Sequence, residues 1–272
     1  LSGQQATYSD AYIELIFTFY RMLNMAMRQT TGYFEDFWRT NNIDIAVPSF
    51  GHLSYLFSKV PVKVKQYCEK IVERVNKGES ITLILDSTGM RFEKASYWFE
   101  EKYKKPCNNK PWRKLHLGMD AEMNMHSVEV TDYSSSDICM MDDLLNIKTP
   151  VSKVIADGAY YSINGVQTLS EKGIVPVIAP PSNAVIHGDD ATQWHDKIVK
   201  YIQEKETVYA FHKKYGYGIR ALVEAQISRI KRCIGTSFKT QKIESQENEG
   251  TIIGNIINQW NAFGKCNSVK IS

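Results

Sequence analysis

Between Tyr8 and Asn76 the apolar residues recur at three- and four-residue spacing, which predicts a run of short helices. Ser9-Asp10 caps a first helix through Met27, with Ile13, Ile16, Phe17, Tyr20, Leu23 and Met27 as its buried stripe. Thr31 caps a second through Arg39, Pro48-Ser49 opens a third to Lys59, and Pro61 opens a fourth. The pattern changes at Gly78-Glu79, which divides a helical domain, residues 1–78, from a second domain, residues 79–272. Beyond it the apolar runs predict strands at 81–86, 113–120, 125–132, 153–157 and 174–178. Helices are predicted at 137–145, 163–172 and 192–205, with another carrying Glu224.

Two of the strand runs end in an acid. Ile81-Thr-Leu-Ile-Leu-Asp86-Ser and Val151-Ser-Lys-Val-Ile-Ala-Asp157-Gly are near-continuous apolar runs, as strands buried on both faces require. An Asp at the carboxyl end of such a strand stands where open α/β sheets bind ligands. Were the two strands parallel neighbours, about 4.8 Å apart, their carboxylates would converge.

A third acid stands in a basic setting. From Phe211 to Lys242 there are eight Lys and Arg residues, and Glu224 is the one carboxylate. At about 100° per residue, Arg220, Glu224 and Lys231 fall within some 40° of one another on a helix. Ile219, Val223, Ile227, Ile230 and Ile234 form a separate apolar stripe. Arg220 and Lys231 therefore lie off the buried face, and losing either is expected to cost the fold within about 0.5 kcal/mol. The bland alternative is a surface helix whose Arg220 and Glu224 make an i,i+4 pair worth a few tenths of a kcal/mol. Two Asp and one Glu meeting at one point repel unless cations share the site. A pair of Mg²⁺ ions about 4 Å apart, with Mn²⁺ as substitute, is the expected occupant.

Tyr217-x2-Arg220-x3-Glu224-x6-Lys231 resembles the Y-R-E-K signature of bacterial insertion-sequence transposases with a DDE active site. Asp86 in LILDSTGM and Asp157 in VIADGAYY look like the first two acids of that triad. The opening YSDAYIE…MAMRQTTGYFEDF…VPSFGHLS is similar to that of the fifth insertion-sequence family. The resemblance implies an RNase H-like mixed-sheet core behind an all-helical N-terminal domain, a region that in such transposases is associated with recognising the element's DNA ends. It implies metal-dependent strand cleavage and strand transfer, with Asp86, Asp157 and Glu224 as catalytic metal ligands. Tyr217, Arg220 and Lys231 would contact phosphates near the scissile bond. The partners implied are terminal inverted repeats and target DNA, with a homodimer assembled on them. Tyr161 stands where many relatives carry an acid. Two other readings are another nuclease on the same fold, which would lack the Tyr-Arg-Glu-Lys spacing, and a non-catalytic DNA-binding remnant, against which all three carboxylates speak.

Composition adds little, since 43% hydrophobic and 23% charged residues are ordinary for a globular chain and the net charge is +3. Local basic runs carry the case for DNA. Lys102 to Lys114 interleaves Lys104, Lys105 and Arg113 with Trp112, a composition suited to holding a DNA backbone and stacking on a base, or to a solvated hairpin. Five cysteines with no C-x-x-C pair read as reduced thiols and as no zinc site. His187 and His195 beside Asp189 and Asp190 fit no metal-binding spacing. The apolar stretch from Tyr12 to Met27 holds Glu14 and Arg21 and is too short to span a bilayer, so a cytoplasmic protein is expected, and the resemblance implies that it is nucleoid-associated.

Overall fold

The computed structural model describes residues 8–92, 102, 104 and 112–264. Helix α1 (Asp10–Met22) starts where the Ser9 hydroxyl accepts the Tyr12 amide, the predicted cap. Its buried side chains include Ile13, Ile16, Phe17 and Tyr20. Helix α2 (Met27–Thr40) begins ahead of the expected Thr31 cap, because Gln29 reaches back to accept the Ala26 amide. Helix α3 (Phe50–Leu56) is capped by Ser49.

The fourth helix does not open at Pro61. Residues 61–68 run without helical structure, and α4 spans Glu69–Asn76. The cause lies far away in sequence. The Asn255 side chain accepts the Lys65 amide and donates to the Lys63 carbonyl, and Asn258 donates to the Lys65 carbonyl. These bonds take up backbone groups that a helix would have used internally.

Among the described residues, five strands, β1 (Ile81–Arg91), β2 (Trp112–Met119), β3 (Met125–Asp132), β4 (Val151–Ile155) and β5 (Val175–Val177), form one sheet in the order β3-β2-β1-β4-β5. β2 is antiparallel to β1 and β3, while β4 runs parallel to both β1 and β5. This is the expected RNase H-like mixed sheet, with the two acid-ending strands side by side. β1 runs on past Asp86 to Arg91 because β2 pairs with it all the way to Trp112. Helices α5 (Met141–Leu145) and α6 (Ile163–Glu171) follow β3 and β4 as predicted.

After β5 come α7 (Gln193–Lys205), α8 (Val208–Tyr215), α9 (Ala221–Cys233) and α10 (Ile243–Ala262). The sequence pattern revealed neither α8 nor α10. Helix α10 lies flat on β2 and β3 because Gly250 and Gly254 present no side chain there. A Cβ at Gly250 would sit 2.6 Å from Val130 Cγ2, and one at Gly254 2.8 Å from Val128 Cγ2. Alternation along the strands puts Asp86 on this same face of the sheet, since it pairs with Leu117, which lies opposite Val128.

Helix α1 packs on α10, so the helices before Gly78 and the sheet's long helix draw on one apolar cluster. Inside the seam, Arg21 Nε stands 3.2 Å from Glu249 Oε1, with both side chains buried. Glu249 also accepts the Lys239 and Thr240 amides and the Thr240 hydroxyl. Burial pushes the Glu249 carboxyl upward, opposed by Arg21 and these donors.

Candidate active site

Asp86 lies midway along β1, half-buried, where the strand passes beyond its parallel neighbour β4. Its Oδ1 accepts the Ser87 amide at 2.8 Å. Asp157 follows β4 by two residues and caps a 3-10 turn, Gly158–Tyr160, by accepting the Ala159 amide at 2.9 Å. Glu224 enters from the first turn of α9, which is anchored by Val223 and Ile230, both fully buried. The predicted apolar stripe holds except at Ile219, which belongs to the preceding turn and is exposed.

Helix α8 ends at Gly216, whose φ of 76° suits glycine, and the chain then makes a 3-10 turn over Tyr217–Arg220. Tyr217 thus stands outside the helix proper. Arg220 leads into α9 and bridges two of the acids. Its Nη1 donates to Asp86 Oδ2 at 3.1 Å and its Nη2 to Glu224 Oε1 at 2.5 Å. Side-chain exposure is 20% for Arg220, 15% for Asp86 and 57% for Glu224. The first contact is therefore largely sheltered and the second open to solvent.

The electrostatics describe a crowd of like charges around one cation. Asp86 is pushed above the usual carboxylate range, first by burial and then by Asp157 and Glu224, against the Ser87 amide and Arg220. Arg220 is held more firmly charged, because Tyr217, Asp86, Glu224 and Asp157 together outweigh its own burial. Tyr217 is raised by burial, with Arg220 opposing and Asp157 and Asp86 adding to the rise. Tyr160 lies beneath the group, and its buried hydroxyl has no hydrogen-bond partner among the described residues. Burial raises Tyr160, and the charges of Asp137, Asp86 and Asp157 raise it further.

Among the described residues, no three His, Cys, Asp or Glu side chains stand close enough as placed to hold a metal ion together. The guanidinium of Arg220 lies between Asp86 and Glu224 instead. The donors are all carboxylate oxygens, mutually repelling and already drawn to one cation. That set fits a hard divalent ion such as Mg²⁺.

The other candidate residues are more scattered. Lys231 lies two turns along α9 from Glu224, about 10 Å at 1.5 Å per residue, and is half-buried without an ion pair among the described residues. Trp112 and Arg113, at the start of β2, pair with Arg91 and Met90 at the far end of β1, five and four strand positions from Asp86, or about 17 and 14 Å. The Trp112 ring lies against Gly89, with Arg91 5.9 Å from its centroid. Arg113 pairs with Asp132, donates to Gln246 and stacks 4.6 Å over Phe92. Lys104 is exposed, and Lys105 lies outside the described residues.

Several neighbours of the site carried no motif. On the opposite face of β1, the Ser87 hydroxyl donates to Asp137 at 3.0 Å, and Lys114 donates to the same oxygen at 3.2 Å. The His212 ring stacks on Tyr217 with centroids 4.1 Å apart. Tyr161 is hydrogen-bonded to His195, whose other ring nitrogen meets the Val185 carbonyl. The signal in the sequence for Ser87 and Tyr160 was that one follows Asp86 directly and the other lies three residues after Asp157.

No helix among the described residues is long and apolar enough to cross a membrane. Comparison with curated proteins finds no match. Residues 1–95 match a family described as Transposase DDE domain, and residues 77–258 match a second family of the same description. The second match alone spans more than half of the chain's 272 residues and takes in all three acids and the whole sheet. The chain therefore belongs to the transposases with a DDE domain.

Proposed function

We propose that this transposase cleaves and transfers DNA strands by metal-dependent phosphoryl transfer, with Asp86, Asp157 and Glu224 as its catalytic carboxylates. The observation that carries the proposal is that Asp157 and Glu224, from separate elements, both act electrostatically on Asp86, with Arg220 bridging Asp86 and Glu224. Asp86 and Asp157 would hold one divalent ion, and Asp86 and Glu224 a second. Such ions, when bound, activate water or a 3′-hydroxyl and stabilise the leaving 3′-oxygen in an in-line displacement.

The chain's own groups do the rest. β1 and β4 fix Asp86 and Asp157 on a rigid sheet, and the buried face of α9 fixes the approach of Glu224. Arg220, once released from the carboxylates, has both arms free for the phosphate beside the scissile bond, a bidentate fit that lysine does not reproduce. Tyr217 packs at its side, and Lys231 extends the positive edge along α9 toward the DNA backbone. Lys104, Lys105, Trp112 and Arg113 would hold DNA farther from the reacting phosphate. Residues 1–78 would recognise the terminal inverted repeats while residues 79–272 carry out the chemistry, and a homodimer in the nucleoid would bring two ends together.

The test is cleavage of a plasmid carrying the coding segment with its native flanking DNA, with Mg²⁺ or Mn²⁺ present. Metal-dependent cuts at the ends of short inverted repeats support the proposal. Cleavage that persists in EDTA overturns it.

A further inference from the structure

We infer that His212 is a positioning residue for this reaction: its ring is the wall that holds Tyr217, and through Tyr217 the guanidinium of Arg220, beside Asp86. The inference rests on the function proposed above and extends it to a residue outside the signature.

Phe211, fully buried and 5.2 Å from the Tyr215 ring, fixes the inner side of α8 and leaves His212 on its flank. Gly216 then reverses the chain, and the turn from Tyr217 folds back over the last turn of α8. The rings of His212 and Tyr217 lie nearly parallel, with centroids 4.1 Å apart and planes tilted by 13°. The Arg220 guanidinium lies 5.9 Å from the Tyr217 ring, and its two arms reach Asp86 and Glu224. Lys153 of β4 donates to the Tyr215 carbonyl at 3.2 Å, tying the end of α8 to the strand that leads to Asp157. One packed series thus runs from α8 to the carboxylates.

The nitrogens of His212 are not what the arrangement uses. Nε2 is buried and has no hydrogen-bond partner among the described residues. Burial also holds the imidazole below its ordinary range, so it is neutral near pH 7. A flat face is what remains, and it restricts Tyr217 and the arginine beside it. An arginine without that wall spreads over more rotamers and spends less time aimed at the phosphate.

The experiment follows plasmid nicking with Mn²⁺, using the plasmid described above, for wild type, His212→Phe, His212→Leu and His212→Gln. The Gln variant keeps polarity without a ring, and it serves the same arm should the Leu variant fail to fold. His212→Phe is expected to keep the wild-type kcat. Loss of the ring is expected to lower kcat about two- to ten-fold, the range an aromatic pair supplies, with a smaller change in KM. Adding Tyr217→Leu to His212→Leu should cost little more, since both remove the same stack. A ringless variant with wild-type kcat overturns the inference, as does a Phe variant as impaired as the ringless ones. Nicking that survives Asp86→Asn overturns the proposed function instead, and this role falls with it.

Discussion

Replacing Arg220 with alanine removes the cation from between Asp86 and Glu224, and the cost follows from where those groups sit. Charge centres about 4 Å apart interact by ~4 kcal/mol at the effective dielectric of a protein surface. The Asp86 contact, 3.1 Å long with both side chains at least four-fifths covered, keeps much of that. The Glu224 contact is open to solvent and contributes about 0.5 kcal/mol. Desolvation and the ordering of a long side chain offset roughly half the total, leaving about 1–3 kcal/mol. The helical projection had placed Arg220 off the apolar face, with less than about 0.5 kcal/mol at stake. The projection could not see that a strand acid fills the other side. Thermal melts in EDTA should put Arg220→Ala about 3–8 °C below wild type. A double-mutant cycle with Asp86→Asn should return a coupling of about 1–3 kcal/mol. Mn²⁺ should then stabilise Arg220→Ala more than wild type, because ion and guanidinium compete for the same oxygens. A coupling below about 0.5 kcal/mol, or equal stabilisation by Mn²⁺, would refute the competition.

Three further outcomes are expected. Arg21→Met leaves the Glu249 carboxylate buried without its cation and should cost about 3–5 kcal/mol by urea unfolding, most of it recovered in Arg21→Met/Glu249→Leu. His116 is fully buried, and burial holds it at about 4, below its ordinary 6.5. As pH falls from 6.5 toward 4 the unfolded chain takes up a proton that the native state refuses, so stability should drop by roughly 3 kcal/mol across that window. Unfolding measured at pH 7 and pH 5 should show this slope in wild type and not in His116→Gln. Gly250→Ala forces a methyl group against Val130 and should cost about 1–3 kcal/mol in the same assay, where a neutral result would mean that α10 shifts freely on the sheet.

What could be read in advance follows the reach of each signal. The apolar runs ending at Asp86 and Asp157 disclosed both strands, and the RNase H-like order that the resemblance implies set the two strands side by side. Glu224 stood out because it was a single acid among cations. Helix α10 gave no such sign. It is covered on nearly every side, so it carries no clean stripe, and its buried Gln246, Glu249, Asn255 and Asn258 read as surface residues in sequence. Apart from Lys239, Thr240 and Gln241 close by, their partners are backbone groups and two arginines some 130 to 230 residues away, beyond any local pattern. The same reach explains the misplaced fourth helix, whose expected start at Pro61 is held extended by those asparagines. His212 escaped notice because stacking on a residue five positions later requires the chain reversal at Gly216, which periodicity does not record.

The central claim is that Asp86, Asp157 and Glu224 act as one metal-dependent unit, and Asp86→Asn, Asp157→Asn and Glu224→Gln test it most directly. Each substitution removes one charge and almost no volume, so melts in EDTA should show folded proteins, with Asp86→Asn relieved of some repulsion. Mn²⁺-dependent cleavage of the plasmid carrying the native flanking DNA should be lost in all three, while duplex binding is retained. Undiminished cleavage by any one of the folded variants would remove that residue from the site and contradict the account.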